Sequence, residues 1–454
     1  MSGLPESATL CASGPQLFRQ LSSIYSLAAI GAIIAGLTLA APFAFKSGGD
    51  NVFIALTIPA GLLTIAATAV AERVPTTRAL WLILGLAIVL RIVAISFEPL
   101  LSSDVYRYIW DGEVQAAGIN PYRYVPADPA LAGIRDAAIF PNINRADYAV
   151  TIYPPVAEVF FLLVTRFGAN TVVMRIALLA CEATSVIIML LLLKKLQSPL
   201  TRVVAYVWHP LPIWEIANSG HVDALMVALM LLGLWVALSG HTIRGAVLLA
   251  LSTLAKSLAA PALAVIWRPW NWKMALAVLA TIALCYAPYL SVGAKVSGFL
   301  TGYLNEEGLL SGDSLWLLSV WRLIAGPHQG DVAIYFGLAG FLIVMLLLWV
   351  WRSPLRAPAF ELADINMLLL AVLLLLSPNY PWYFLVIAPF VALLGNPPTW
   401  AASIGALLLT DEVHWDFLIP PMIAKSILFG AVLLAYIWQA WIAHAQAWQK
   451  QHVE

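Results

Sequence analysis

Apolar runs of membrane-crossing length recur along this chain, and they constrain its fold more than any other feature. Runs of about twenty residues, enough to cross a bilayer, lie near 24–45, 52–71 and 78–97. Others follow near 153–168, 171–194, 200–218, 222–239, 241–266 and 273–292. The last group lies near 314–325, 332–351, 362–377, 382–394, 398–411 and 418–443. Only 11% of the 454 residues are charged and 62% are hydrophobic, where a soluble domain carries about a quarter charged residues. The expectation is an all-α polytopic membrane protein of about 12 to 14 transmembrane or re-entrant helices. Eighteen tryptophans and fifteen tyrosines suit many membrane–water crossings.

The 24 basic and 24 acidic residues cancel, so nothing points to nucleic acid. Cys11, Cys181 and Cys285 lie far apart and suggest neither a disulfide framework nor a zinc site. Residues 1–20 lack a small-residue cleavage signal, so a retained N-terminus is expected. Arg73 and Arg78 between the second and third runs put that loop, and the N-terminus, in the cytoplasm. The third run then exits into residues 98–152, a large first extracytoplasmic loop in which Pro121, Pro126, Pro129 and Pro141 forbid one continuous helix. A second outer loop spans 293–313. Arg352 and Arg356 return the chain to the cytoplasm. Lys194, Lys195 and Arg202, and the segment Trp267-Arg268-Pro269-Trp270-Asn271-Trp272-Lys273, also look cytoplasmic. Both can be so only if 153–168 does not span and 241–266 is a broken, re-entrant pair, the arrangement we favour; otherwise Lys194 and Lys195 face outward. No convincing internal repeat is visible, which weighs against a secondary transporter.

Within the first outer loop, Ser102-Ser103-Asp104-Val105-Tyr106-Arg107-Tyr108-Ile109-Trp110-Asp111-Gly112 interrupts the apolar text. As a helix it places Asp104, Arg107 and Asp111 on one stripe beside Val105 and Ile109. That is an amphipathic helix lying on a surface, with Ser102 and Ser103 as N-cap candidates. Arg107 is spaced to bridge Asp104 and Asp111, and could equally meet a phosphate.

Polar groups inside apolar runs are costly and invite a functional reading. His209, Glu215, Asn218, His221, Asp223, Lys256 and Asn379 are such groups. His221 and Asp223 could position a polar substrate or bind a cation, or simply cap two helices at an Asn-Ser-Gly turn. Lys256 could hold an anionic phosphate, or snorkel to a helix end. Asn379, Tyr380, Trp382 and Tyr383 fit a ligand-facing helix end or an aromatic belt. Arg322 could also meet phosphate. Glu306, Glu307 and Asp313 read as a solvated loop face, and His414, Trp415 and Asp416 as another loop. No metal-ligand spacing or nucleotide-binding glycine loop is present; the sequence names no cofactor, and leaves room for a divalent cation.

The stretch Ser103–Gly112, then Gly118-Ile119-Asn120-Pro121-Tyr122 and Tyr153-Pro154-Pro155, resembles the GT-C type integral-membrane glycosyltransferases. The nearest groups are glycosyltransferase family 87 and the glycosylphosphatidylinositol-type mannosyltransferases. Gly220-His221-Val222-Asp223, Lys256 and Ser377–Tyr383 are similar to their later motifs. The resemblance divides the chain into residues 1–77 with two extra N-terminal spans, a GT-C module over 78–292, and C-terminal helices over 293–454. It implies a polyprenyl-phosphate donor of a sugar such as mannose, and a lipid or glycan acceptor. It also implies a site on the outer, periplasmic face of a bacterial inner membrane, with Asp104 as general base and inversion at the anomeric centre. Arg107, Tyr108, Asp111, His221, Asp223, Lys256, Arg322, Asn379, Tyr380, Trp382 and Tyr383 are then the candidates for holding donor or substrate. A transporter or flippase for a lipid-linked or small polar substrate is the alternative reading, and a non-catalytic membrane scaffold a third.

Overall fold

The computed structural model describes residues 14–267, 271–352, 358–410 and 420–453. Cys11, Arg268, Pro269, Trp270, Arg356, His414, Trp415 and Asp416 lie outside the described residues. Every regular element among those described is helical, and the protein is an all-α polytopic membrane protein. Eight helices are long and apolar enough to cross a membrane, or nine if one bent pair counts as a span. With the four shorter apolar helices, the described units fall within the range expected from the sequence.

Helices α1 (Ser23–Ser47) and α2 (Gly49–Ala71) form a hairpin that reverses at Gly49, where φ is 67°. Thr38, Thr57 and Thr64 turn their hydroxyls back onto carbonyls one turn earlier, at 2.9 to 3.0 Å, which satisfies them in an apolar surrounding. Helix α3 (Thr76–Ile95) leads to the first loop, which carries α4 (Asp104–Ala116) and ends at α5 (Pro155–Thr165). At 11 residues, α5 is only about 16 Å long and does not cross a bilayer. Helix α6 (Thr171–Lys195) is capped by the Asn170 side chain and has Lys194 and Lys195 in its last turn, where cations suit the helix dipole. Its 25 residues span roughly 37 Å.

Residues 200–222 are the irregular heart of the bundle. Short helical turns end in a π-helical turn, Ile213–Asn218, and the chain then bends by 119° into α7 (Asp223–Leu238). Irregular backbone inside a membrane needs its polar groups satisfied by protein. Arg175 of α6 donates to the Phe97 and Asn218 carbonyls at 2.7 and 3.3 Å. The Asn218 side chain accepts from Leu100 N–H at 2.9 Å and donates to the Ala94 and Glu98 carbonyls at 3.0 Å. Asn218 is therefore a structural clamp, and His209, accepting from Leu211 N–H at 3.1 Å, is a helix cap.

Helix α8 (Thr242–Ala255) packs antiparallel on α7 and stops at Lys256, whose backbone is extended. Helix α9 (Ala260–Ile266) follows, so the 241–266 run is broken at the lysine. The rest comprises α10 (Trp272–Tyr286), α11 (Leu300–Glu306), α12 (Trp316–Ala325), α13 (Asp331–Arg352) and α14 (Pro358–Leu376). It closes with α15 (Ala388–Leu393), α16 (Pro397–Gly405) and α17 (Pro421–Val453).

Three loop segments meet at one end of the bundle. Phe299 N–H donates to the Thr151 carbonyl at 3.1 Å, Arg145 pairs with Glu306 at 2.6 Å, and Asn379 donates to the Glu307 carboxylate at 2.8 Å. The start of α6 lies at this end too, through Arg175, so its lysines lie at the other. Trp267 packs edge-to-face on Trp351 at 5.3 Å, which puts the 267 loop and Arg352 together. The short α5 and the break at Lys256 are two features of the arrangement favoured from the charges.

The α7–α8 crossing depends on small residues. A Cβ added to Gly245 would stand 2.6 Å from the Ala237 Cβ and 2.7 Å from the Gly233 carbonyl oxygen. Gly245→Ile is expected to cost about 1–3 kcal/mol through overpacking, read as a lower melting temperature in detergent. Gly85→Ile, where a Cβ meets nothing within 4 Å, is the control and should melt like the wild type.

Candidate active site

Asp104 opens α4, with its backbone N–H donating to the Ser102 hydroxyl at 3.2 Å. Its carboxylate accepts from Asn144 Nδ2 at 3.0 Å and from the Tyr153 hydroxyl at 3.3 Å. His221 Nδ1 stands 3.9 Å away, and the Asp104 side chain remains 17% exposed.

The rest of α4 corrects the expected surface helix. Val105, Arg107, Tyr108, Ile109, Trp110, Asp111, Gly112 and Val114 are all buried. Arg107 bonds both Asp111 oxygens at 2.9 and 3.1 Å and the Ala149 carbonyl at 3.0 Å. Within the expected stripe, Arg107 thus serves Asp111 and only Asp104 stays partly exposed. Asp111 is sealed against Arg107, Thr151 and Glu158, so as folded it has no opening to a substrate. Tyr108 stacks on Phe161 at 4.5 Å and approaches the Val222 N–H at 3.5 Å through its hydroxyl. Burial, then the neighbouring Asp111 charge, pushes the Glu158 carboxyl well above its ordinary range. Burial also raises Asp111, opposed by Arg107. Burial thus favours the protonated form of Glu158, while Arg107 favours the charged form of Asp111. Thr151 and Gln115 also bond Glu158, at 2.6 and 2.8 Å.

Around Asp104 the structure gathers residues from distant helices. His221 Nε2 lies 3.2 Å from a Glu215 carboxylate oxygen. The His221 ring stacks on Trp382 at 4.2 Å, and Trp382 stacks on Tyr380 at 4.4 Å. Both faces of Trp382 are covered, so it fixes His221 and offers no open face for a sugar. Lys256 pairs with Asp223 at 2.6 Å and lies 4.6 Å over the Tyr383 ring. The Tyr383 and Tyr303 hydroxyls share a hydrogen bond.

Several participants escaped the sequence reading. Arg145 pairs with Glu306 and lies over the Tyr303 ring. Glu307 is 7% exposed, not a solvated loop residue, because Asn379 donates to its carboxylate. Burial pushes its carboxyl upward against that bond. Asn379 also accepts from Lys425 at 2.7 Å, so its side chain is engaged internally. Lys425 is buried in α17 and donates to the Ser314 and Ser377 carbonyls at 2.8 and 2.6 Å. Asn144, Tyr153 and Tyr303 were missed as well; the aromatic, proline-bounded text around Tyr153 was the available signal. Arg322 is not brought to this cluster. It is held by Asp331 at 2.8 Å, Asp313 at 3.2 Å and the Ser311 carbonyl at 3.1 Å. No group of three or more His, Cys, Asp or Glu side chains among the described residues is placed to hold a metal ion.

The fold and this cluster define a polytopic membrane protein with a carboxylate site where its loops converge. The family model described as alpha-(1->6)-mannopyranosyltransferase, N-terminal domain, matches residues 34–272, more than half of the chain. The chain belongs to that family. It is 24% identical over 332 residues to alpha-(1->6)-mannopyranosyltransferase A of Mycobacterium tuberculosis, covering 63% of this chain and 60% of that protein. It is 25% identical over 371 residues to a probable alpha-(1->6)-mannopyranosyltransferase of Mycolicibacterium smegmatis, covering 68% of this chain and 65% of that one. The chain thus spans less than two thirds of either relative's length. No solved structure gives a significant match.

A raised carboxyl in the folded state takes up more protons than the unfolded chain between the ordinary glutamate value, about 4.3, and its own. Its stabilisation is complete below that window and is lost as pH rises through the folded value. Glu158→Gln cannot ionise, so its melting temperature should fall less steeply than the wild type's from pH 5 to 8. Parallel melting curves would remove Glu158 as the proton holder.

Proposed function

We propose that this protein transfers a mannosyl group from a polyprenyl-phosphate-linked donor to a lipid or glycan acceptor. The carrying observation is Asp104, a partly exposed carboxylate with only neutral donors on it, standing among residues from several helices. Membership of a family whose relatives are named for mannosyl transfer supports the sugar. It also weighs against the transporter reading.

In this mechanism the acceptor hydroxyl lies against Asp104, which takes its proton as the oxygen attacks the anomeric carbon. The bond to the carrier phosphate breaks on the opposite side, which inverts the centre. Lys256 and Arg145 are the cations available to the departing phosphate. Lys256 would have to share its charge with Asp223, and Arg145 with Glu306. Asn144 and Tyr153 orient the base. Arg107, Asp111 and Tyr108 hold α4 in place beneath it, and Asn379 and Tyr383 hold the 377–383 segment against the second loop.

The site faces the periplasm in this reading, since the charge pattern puts Arg73, Lys194 and Arg352 in the cytoplasm. Cysteines placed singly at Lys195 and Ala138, both exposed, test this in inside-out and right-side-out vesicles. An impermeant maleimide should reach position 138 from outside and position 195 only from inside. The reverse pattern overturns the orientation.

Asp104→Asn in membranes supplied with labelled polyprenyl-phosphate mannose should lower kcat by about 10²- to 10⁴-fold with its melting temperature retained. Asp111→Asn should act mainly on stability, because it strands the buried Arg107. Unchanged transfer by folded Asp104→Asn protein sinks the assignment of the base.

A further inference from the structure

Asp104 does not stand alone: a histidine and a second carboxylate continue inward from it in a line. His221 Nδ1 is 3.9 Å from Asp104 Oδ2, and His221 Nε2 is 3.2 Å from Glu215 Oε2. Exposure falls along this line from 17% at Asp104 to zero at His221 and Glu215. The imidazole is fixed at its ring face by Trp382, and the backbone N–H of His221 donates to the backbone carbonyl of Glu215 at 2.9 Å. Glu215 sits in a π-helical turn, a local geometry found frequently at functional sites. A fully buried carboxylate facing a buried imidazole is costly. Its use as helix capping would not require alignment with a partly exposed third group.

We propose that Asp104, His221 and Glu215 form a proton relay, in which His221 and Glu215 are positioning residues that clear Asp104 of the proton it accepts. This rests on the transferase reading above. At the start Asp104 and Glu215 are carboxylates, and neutral His221 carries its proton on Nε2. The acceptor O–H bond breaks, its electron pair forms the new glycosidic bond, and its proton passes to Asp104. Asp104 hands a proton to Nδ1 as Nε2 gives its own to Glu215. His221 ends neutral in the other tautomer, Asp104 is again a carboxylate, and Glu215 is protonated. The electron pair of the broken sugar–oxygen bond stays on the departing phosphate, which gains one negative charge as Glu215 loses one. The proton returns by the same path to solvent after product leaves. A small approach of Asp104 to Nδ1 completes the line. Lys256 acts on His221, and Asp223, Arg145, Tyr108, Tyr153, Tyr303 and Tyr383 all lie within electrostatic reach of Asp104.

The test uses full-length protein in proteoliposomes with labelled polyprenyl-phosphate mannose and compares Asp104→Asn, His221→Ala and Glu215→Gln. His221→Ala should lower kcat by about 10²-fold with the donor KM within about threefold. Added imidazole should restore it at least about tenfold, filling the space between Trp382 and Asp104. Glu215→Gln, nearly isosteric, should lower kcat by about tenfold and displace the acidic limb of the pH–rate profile. It serves alone if His221→Ala does not fold. An inactive Asp104→Asn beside a Glu215→Gln protein with wild-type kcat and pH profile overturns the relay and leaves the base intact. The same holds for folded His221→Ala that imidazole does not rescue. Activity retained by Asp104→Asn instead overturns the transferase reading beneath it.

Discussion

The structure depends on one unmet need for hydrogen bonds, at the break between Asn218 and Asp223. A chain that bends by 119° inside an apolar bundle exposes carbonyls and N–H groups that lipid cannot satisfy. Arg175 and Asn218 meet that need from two sides, one on α6 and one within the break itself. Gly220 completes the geometry: its φ is +75°, and a Cβ there would stand 2.8 Å from Arg175 Cγ. The clamp turns the costly irregularity into a rigid platform. His221 and Asp223, which follow it, then face Asp104 and Lys256 instead of sealing into a continuous helix.

The first loop is held onto that platform by a second buried system. Arg107, Asp111, Glu158 and Thr151 join α4, α5 and the intervening loop. A bare carboxylate pair there would repel; the guanidinium beside Asp111 offsets one charge, and burial pushes the Glu158 carboxyl toward its neutral form. Lys425 does the corresponding work on the far side, joining α17 to the 314 and 377 backbones and to Asn379. The first loop and the break therefore meet at Asp104, while Lys425 fixes the start of the 377–383 segment.

The architecture was legible because its cause is local. Apolar runs report spans residue by residue, and Lys256 marked its own helix break. Of the arrangement favoured from the charges, the structure shows two parts: α5 is too short to cross, and the 241–266 run is broken at Lys256. The site was half legible. Asp104, His221, Asp223 and Lys256 lie in unusual polar text. Arg145, Glu307, Tyr303 and Lys425 look like ordinary loop or helix residues, and their roles arise from partners 46 to 161 residues away. The helical stripe of Asp104, Arg107 and Asp111 misled for a related reason. Periodicity says which residues share a face, not what that face packs against, and α5 covers most of it.

The distribution of charge around the site singles out Asp104. Asp111 faces Arg107, Asp223 faces Lys256, and Glu306 faces Arg145, each within 3.0 Å. A carboxylate locked to a cation has its lone pairs engaged and is a poor proton acceptor. Asp104 is instead approached by an amide, a phenol and an imidazole, groups that orient a carboxylate without neutralising it. It is also the member of this set placed at the N-terminus of α4, which stabilises its negative charge without competing for its proton-accepting oxygen. Arg107, Lys256 and Arg145 are thus paired with the other three acids, and Asp104, bonded by Asn144 and Tyr153 instead, stays partly exposed.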